Sequence, residues 1–285
     1  MSSAFRDFRR RLSLGLPTVL GLARRGFFIP YRYARDLPPE HELPPYSAVE
    51  ERMKAKRDRF SFWLDSMDAY ARDLEAIGDK PPPQPRWNQD WFPRADAAMA
   101  YAITRTVAPA RIVEVGCGHS TRFFARAADD ARLDCRVTAI DPAPRADLEG
   151  IARVRLHRAS LQDVGDAPFA DLASGDILAI DSSHILMPGT DLDILLNRVM
   201  PALPAGTFVH IHDIFLPDPY PAEWSWRGYN EQQAVAPLIT GGGWDIEFAS
   251  HYVASRMVQR VASGVLGRLP LAPEAKEASL WLKKL

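Results

Sequence analysis

Residues 111–121 read RIVEVGCGHST, and the interpretation of that string decides the fold. A short run rich in β-branched residues ends at Gly116, a second glycine follows at Gly118, and a helical pattern begins at once. That is a strand, a tight turn and a helix. Gly116 and Gly118 permit the turn and a close backbone approach, and the helix start offers unpaired amides, so the turn is a candidate ligand cradle. A dinucleotide fold would carry a third glycine where Thr121 stands, and the carboxylate of Glu114 at the strand end would repel a diphosphate. A cofactor bearing positive charge fits better.

Outward from this turn the chain alternates between strand and helix, the signature of a largely parallel sheet. The expected strands are residues 111–116, 136–141, 154–160, 176–182, 207–215, 244–252 and 279–284, with helices at 95–108, 120–131, 191–200 and 231–240. Residues 253–278 form an insertion before the last strand. Upstream, Phe60, Trp63, Leu64, Met67, Tyr70, Ala71, Leu74 and Ile77 recur at steps of three and four, which predicts one amphipathic helix ending at Gly78. The stiff connector PPPQPR (81–86) then suggests a boundary between an N-terminal helical extension, 1–86, and the main domain, 87–285.

The overall balance, 35 basic against 36 acidic residues, leaves a net charge of -1 and no electrostatic footprint for nucleic acid. Cys117 and Cys135 form no metal-ligand or redox motif, so a reducing cytoplasm is expected. The charge is uneven, however. Residues 1–35 hold eight arginines, Arg6 among them, against the single acid Asp7. The apolar stretch at 14–23 is ten residues long and broken by Pro17, too short for a span. Such a basic, amphipathic start suits peripheral contact with an anionic membrane or an organelle transit signal. The aromatic run FFIPYRY (27–33) favours instead docking on its own domain or a partner chain, a homo-oligomer included.

The string ExGxG after the first strand resembles the first motif of class I S-adenosylmethionine-dependent methyltransferases. That resemblance spans about residues 87–252 and implies a Rossmann-like α/β fold with seven strands, mostly parallel, the last (SLWLKK) antiparallel. It also implies S-adenosylmethionine as cofactor, held by Glu114, Gly116, Gly118 and Ser120. Asp141 matches the acid that accepts from both ribose hydroxyls, and Gln162 and Asp163 match the region that brackets adenine.

Two further strings carry chemistry, DSSH (181–184) and HIHD (210–213). In an open α/β sheet the carboxyl ends of neighbouring strands face one crevice, so Asp181, His184, His212 and Asp213 should converge, whereas His210 suits an interior position. The strings resemble those of metal-dependent O-methyltransferases of the catechol and macrolide-sugar types. The resemblance implies a divalent ion (Mg²⁺, Mn²⁺ or Fe²⁺) on Asp181, His212 and Asp213, with His184 as base beside Asp181. An imidazole in that set suits Mn²⁺, Fe²⁺ or Zn²⁺ better than Mg²⁺. After the fifth strand, Tyr220, Trp224, Trp226 and Tyr229 stand without helical spacing and suit a small-molecule or glycan acceptor, or a dimer contact. Methylation of a nitrogen, iron-dependent hydroxylation at the same ligands, and a non-catalytic interaction protein are the alternatives.

Overall fold

The computed structural model describes residues 8–78 and 80–285, so Arg6 and Asp7 lie outside the described residues. Seven strands form one sheet: β1 (Arg111–Val115), β2 (Arg136–Ile140), β3 (Val154–His157), β4 (Ile177–Ile180), β5 (Phe208–Ile211), β6 (Trp244–Ala249) and β7 (Leu280–Lys284). Their order is β3-β2-β1-β4-β5-β7-β6, and β7 alone runs antiparallel to its neighbours. This is the Rossmann-like α/β arrangement expected from the sequence, with helices before it. Because β4 and β5 are buried along their whole length, ILAI and FVHI read as continuous rather than alternating patterns.

The chain divides into two compact units. One comprises the described residues up to Leu43 together with Pro219–Gly228, and the other comprises Pro44–Asp218 and Tyr229–Leu285. The larger unit holds the sheet and the helices α1 (Ser47–Lys54), α2 (Arg57–Ala69), α3 (Arg94–Val107), α4 (His119–Asp130) and α5 (Glu231–Thr240). Phe60 of α2 packs edge-on against Phe248 and Tyr252, and the Trp63 indole donates to Glu247 at 3.0 Å. Helix α3 is an alanine-rich turn-after-turn pattern that packs against α2 and α4. Arg94 and the backbone N–H of Ala95 at its start both donate to Glu277, which ties the helix to the segment entering β7.

Local structure departs from the sequence reading at several places; the helix expected over 191–200, for one, is α-helical only to Ile194 and continues as a π-turn over Leu195–Val199. The single helix expected over 60–77 is broken at Tyr70, whose ring lies 4.2 Å from the Arg105 guanidinium and edge-on to Tyr101. The third strand stops at His157, and Ser160 caps the short helix Leu161–Val164. The fifth stops at Ile211, because Asp213 turns the chain with a left-handed φ of 57°. The sixth stops at Ala249, and Ser250–Arg256 is helical.

The smaller unit starts helically, over residues 8–19, with a π-turn at Arg11–Gly15 followed by Leu16–Val19. It also holds the 3-10 turn Ala222–Arg227, where Arg227 sits 3.9 Å over the Trp224 ring and Arg10 sits 5.1 Å over that of Trp226. The side chains of Phe27, Phe28, Ile29, Tyr31 and Tyr33 are all exposed in the single chain.

Trp281 of β7 is wholly buried, with its ring 4.8 Å from His210 and 6.3 Å from Phe124. Its ring fills the space between the antiparallel strand and helix α4. Trp281→Ala is expected to cost about 3–5 kcal/mol, read from denaturant unfolding; a loss below about 1 kcal/mol would mean that β7 is not seated as described.

Candidate functional site

Gly116 continues the ladder by donating to Ile140, and its φ is 77°. A Cβ built there would lie 1.7 Å from the carbonyl oxygen of Asp181 and 2.5 Å from its carbon. No side chain is compatible with that approach, so glycine is required where the turn after β1 crosses the end of β4. Gly118 differs. Its backbone is extended, and a Cβ would meet Ala146 only at an ordinary 3.6 Å, so no neighbouring protein atom demands glycine there.

The turn is braced from below by Glu114. This buried carboxylate accepts from Ser120 Oγ and Thr121 Oγ1, both at 2.5 Å, and Gly118 N–H donates in turn to Thr121 Oγ1 at 3.0 Å. Thr121 thus does work as a brace at the place where a dinucleotide fold would carry glycine. Burial pushes the Glu114 carboxyl up to about 7, against the opposing effect of the two hydroxyls. Asp141, at the end of β2, reaches the same turn: its carboxylate accepts from Cys117 N–H at 3.0 Å and Ala143 N–H at 2.7 Å, and remains partly exposed. Gln162 and Asp163 are exposed and engaged elsewhere, with the Gly189 carbonyl at 3.0 Å and the Ser160 hydroxyl at 2.6 Å.

Beside the turn, the ends of β4 and β5 bring Asp181, His184, His212 and Asp213 together. His212 Nδ1 lies 3.4 Å from Asp181 Oδ1 and 3.3 Å from Asp213 Oδ1, and donor atoms of these three residues all fall within 4.8 Å of one another. His184 Nε2 faces the same carboxylates, at 3.2 Å from Asp181 and 3.4 Å from Asp213. His184 and Asp213 both adopt left-handed φ, 59° and 57°, a strained geometry for non-glycine residues that surrounding bonds must hold. For His184 those bonds are visible. Ser183 N–H and Oγ donate to Asp191, while Asn230 accepts from Leu186 N–H and donates to Leu186 O.

Two residues that the sequence reading missed complete the arrangement. Glu231, fully buried at the start of α5, accepts from His184 Nδ1 at 2.8 Å, and Asp96, fully buried in α3, lies 3.2 Å from His212 Nε2. Asp96 also accepts from the N–H groups of Ala278 and Ser279. Its only sequence signal is a lone acid among alanines. Glu231 reads as an ordinary acidic helix start. Burial opposes charge on both imidazoles, but Asp213, Asp181 and Glu231 around His184, and Asp181, Asp213 and Asp96 around His212, outweigh it and raise both well above the usual histidine range. The carboxylates gathered around these two imidazoles concentrate negative charge in the pocket, which favours a cation.

His210, expected as an interior group, is buried with Nε2 on Ser279 Oγ at 2.8 Å, and burial lowers it to about 3. Tyr229 lies with its ring 4.4 Å from that of His184. Tyr220, Trp224 and Trp226 belong to the smaller unit.

A family model described as a methyltransferase domain matches residues 113–214, just over a third of the chain. This stretch runs from β1 to just past β5 and carries both the glycine turn and the carboxylate–imidazole cluster; it is a methyltransferase domain. Among curated proteins there is no significant match. Similar solved structures include a Podospora anserina methyltransferase, PaMTH1, bound to S-adenosylhomocysteine, at 14% identity over 91% of this chain and 99% of that one, with a TM-score of 0.44. Another is TomG of Streptomyces achromogenes, an O-methyltransferase for tomaymycin synthesis in complex with S-adenosylmethionine, at 13% identity, 85% and 99% coverage and a TM-score of 0.41. A Bacillus cereus O-methyltransferase stands at 11% identity, 89% and 96% coverage and a TM-score of 0.41. At such low similarity, functional weight stays on the domain match and on the residues.

The raised Glu114 carboxyl sets a pH dependence. An unfolded carboxyl releases its proton near 4.5 and the folded one near about 7, so stability from the bound proton is fully present below the first value and is lost as pH rises through the second. Glu114→Gln removes the titration yet still accepts from the hydroxyls. Between about pH 5 and about pH 8 its stability should gain on the parent's by an amount on the order of 3 kcal/mol, measured by urea unfolding; parallel pH profiles would contradict it.

Proposed function

We propose that this protein transfers a methyl group from S-adenosylmethionine to a hydroxyl oxygen of a small molecule or sugar, with a divalent ion at Asp181, His212 and Asp213. The observation that carries the reading is the juxtaposition of a three-donor cluster, a buried histidine and a glycine turn at neighbouring strand ends.

The residues present fit both groups. The partly exposed Asp141 carboxylate at the end of β2 has acceptor capacity left for vicinal ribose hydroxyls. Two carboxylates and an imidazole, with the second imidazole nitrogen oriented by Asp96, form a donor set suited to Mn²⁺, Fe²⁺ or Zn²⁺. When bound, the sulfonium supplies an electrophilic methyl carbon and the ion makes an alcohol easier to deprotonate.

The chain's own residues do the rest. Glu231 takes the Nδ1 hydrogen bond of His184 and so directs Nε2 toward the cluster. Were an ion to neutralise the carboxylates, His184 would give up its Nε2 proton, and the bare nitrogen would take that of the acceptor hydroxyl as the oxygen gains the methyl group and the sulfur departs as the thioether, a contribution of about 10²–10⁴-fold. Tyr229, whose tilted ring lies 4.4 Å from that of His184, bounds the space beside the base.

The test is turnover of S-adenosylmethionine to S-adenosylhomocysteine with a panel of catechols and deoxysugar glycosides. Activity should fall at least about 10²-fold in His184→Asn and should be lost on chelation and restored by Mn²⁺. Turnover of hydroxyl acceptors that is indifferent to both treatments, or turnover confined to amines, would refute oxygen methylation through this cluster.

A further inference from the structure

Residues 8–35 carry seven arginines, at positions 9, 10, 11, 24, 25, 32 and 35, and no acidic residue. Phe8, Leu12, Leu16 and Val19 recur there at steps of four, four and three along the helical run, and all four are exposed. A helix in a water-soluble unit normally buries such a stripe. Here the stripe faces solvent and continues into Leu22, Phe28 and Ile29, exposed by 77%, 63% and 64%. Apolar side chains, including the aromatic rings of Phe27 and Tyr31, therefore share one short segment with a strong positive charge.

We propose that this segment holds the protein on the surface of an anionic phospholipid bilayer, its apolar side chains entering the acyl boundary and its arginines meeting the headgroup phosphates. Charge decides between this occupant and a second copy of the chain. A symmetric pairing would bring seven arginines against seven, whereas an anionic surface complements them. The contact is interfacial: no helix of the described residues is long and apolar enough to cross a membrane. Arginine clusters alternate with apolar residues, so buried apolar area and attraction to anionic lipid, the two contributions on which interfacial binding scales, come from one segment.

The test is co-sedimentation of the full chain with vesicles of pure phosphatidylcholine and with vesicles of phosphatidylcholine and phosphatidylglycerol. Binding should occur on the mixed vesicles, be absent or much weaker on the neutral ones, and fall with added salt. Replacing Arg9 and Arg24 by glutamine should weaken it by about fivefold for each arginine removed. Replacing Phe28 and Ile29 by serine should also weaken it while leaving the salt dependence in place. Light scattering on the same samples guards the choice of occupant. A monomer or unchanged oligomer that binds anionic vesicles supports the proposal. Absence of binding to the mixed vesicles overturns it, as does an oligomer that breaks up in the Phe28→Ser, Ile29→Ser variant without any lipid contact.

Discussion

The site depends on the approach of the Gly116 backbone to the carbonyl of Asp181, a distance that leaves no room for a Cβ. Parallel strands β1 and β4 already pair from Ile112 to Val115, and Asp181 N–H extends that ladder by donating to Val115. The turn that follows β1 must therefore cross directly over the first residue after β4. That residue carries the central carboxylate of the cluster. On the proposed function, a ligand cradled by the turn and an ion held by the cluster would be fixed to one piece of backbone, which is the positional accuracy that an in-line displacement requires.

Each imidazole is held from outside by a fully buried carboxylate on a different helix, His212 by Asp96 of α3 and His184 by Glu231 of α5. Asp96 also binds the backbone entering β7, and Asn230 clamps the loop that bears His184. The side chains of the site are thus anchored to both the parallel and the antiparallel parts of the sheet. Removing either buried carboxylate would free an imidazole rather than delete a ligand, so its effect would fall on orientation and metal affinity.

Much of this arrangement was legible in the sequence, because its signals are local. Buried parallel strands leave apolar runs, Gly116 marks a tight turn, and strand ends announce DSSH and HIHD. What escaped is long-range. Nothing near Asp96 in the chain indicates that it meets His212, and Glu231 gains its role only when α5 folds back on the loop after β4. Glu114 was legible as an acid at a turn, yet its partners show it bracing Ser120 and Thr121 from within. At the break, Tyr70 meets Arg105 and Tyr101, contacts that no helical periodicity encodes.

The most direct test is a calorimetric titration of Mn²⁺ into the parent chain and into Gly116→Ala, with far-UV circular dichroism as the check on folding. The account predicts one site in the parent and binding weaker by about tenfold or more in the variant, although Gly116 supplies no ligand atom. Equal affinity in two folded proteins, or no binding to the parent, would contradict the claim that the turn and the cluster are one structural unit.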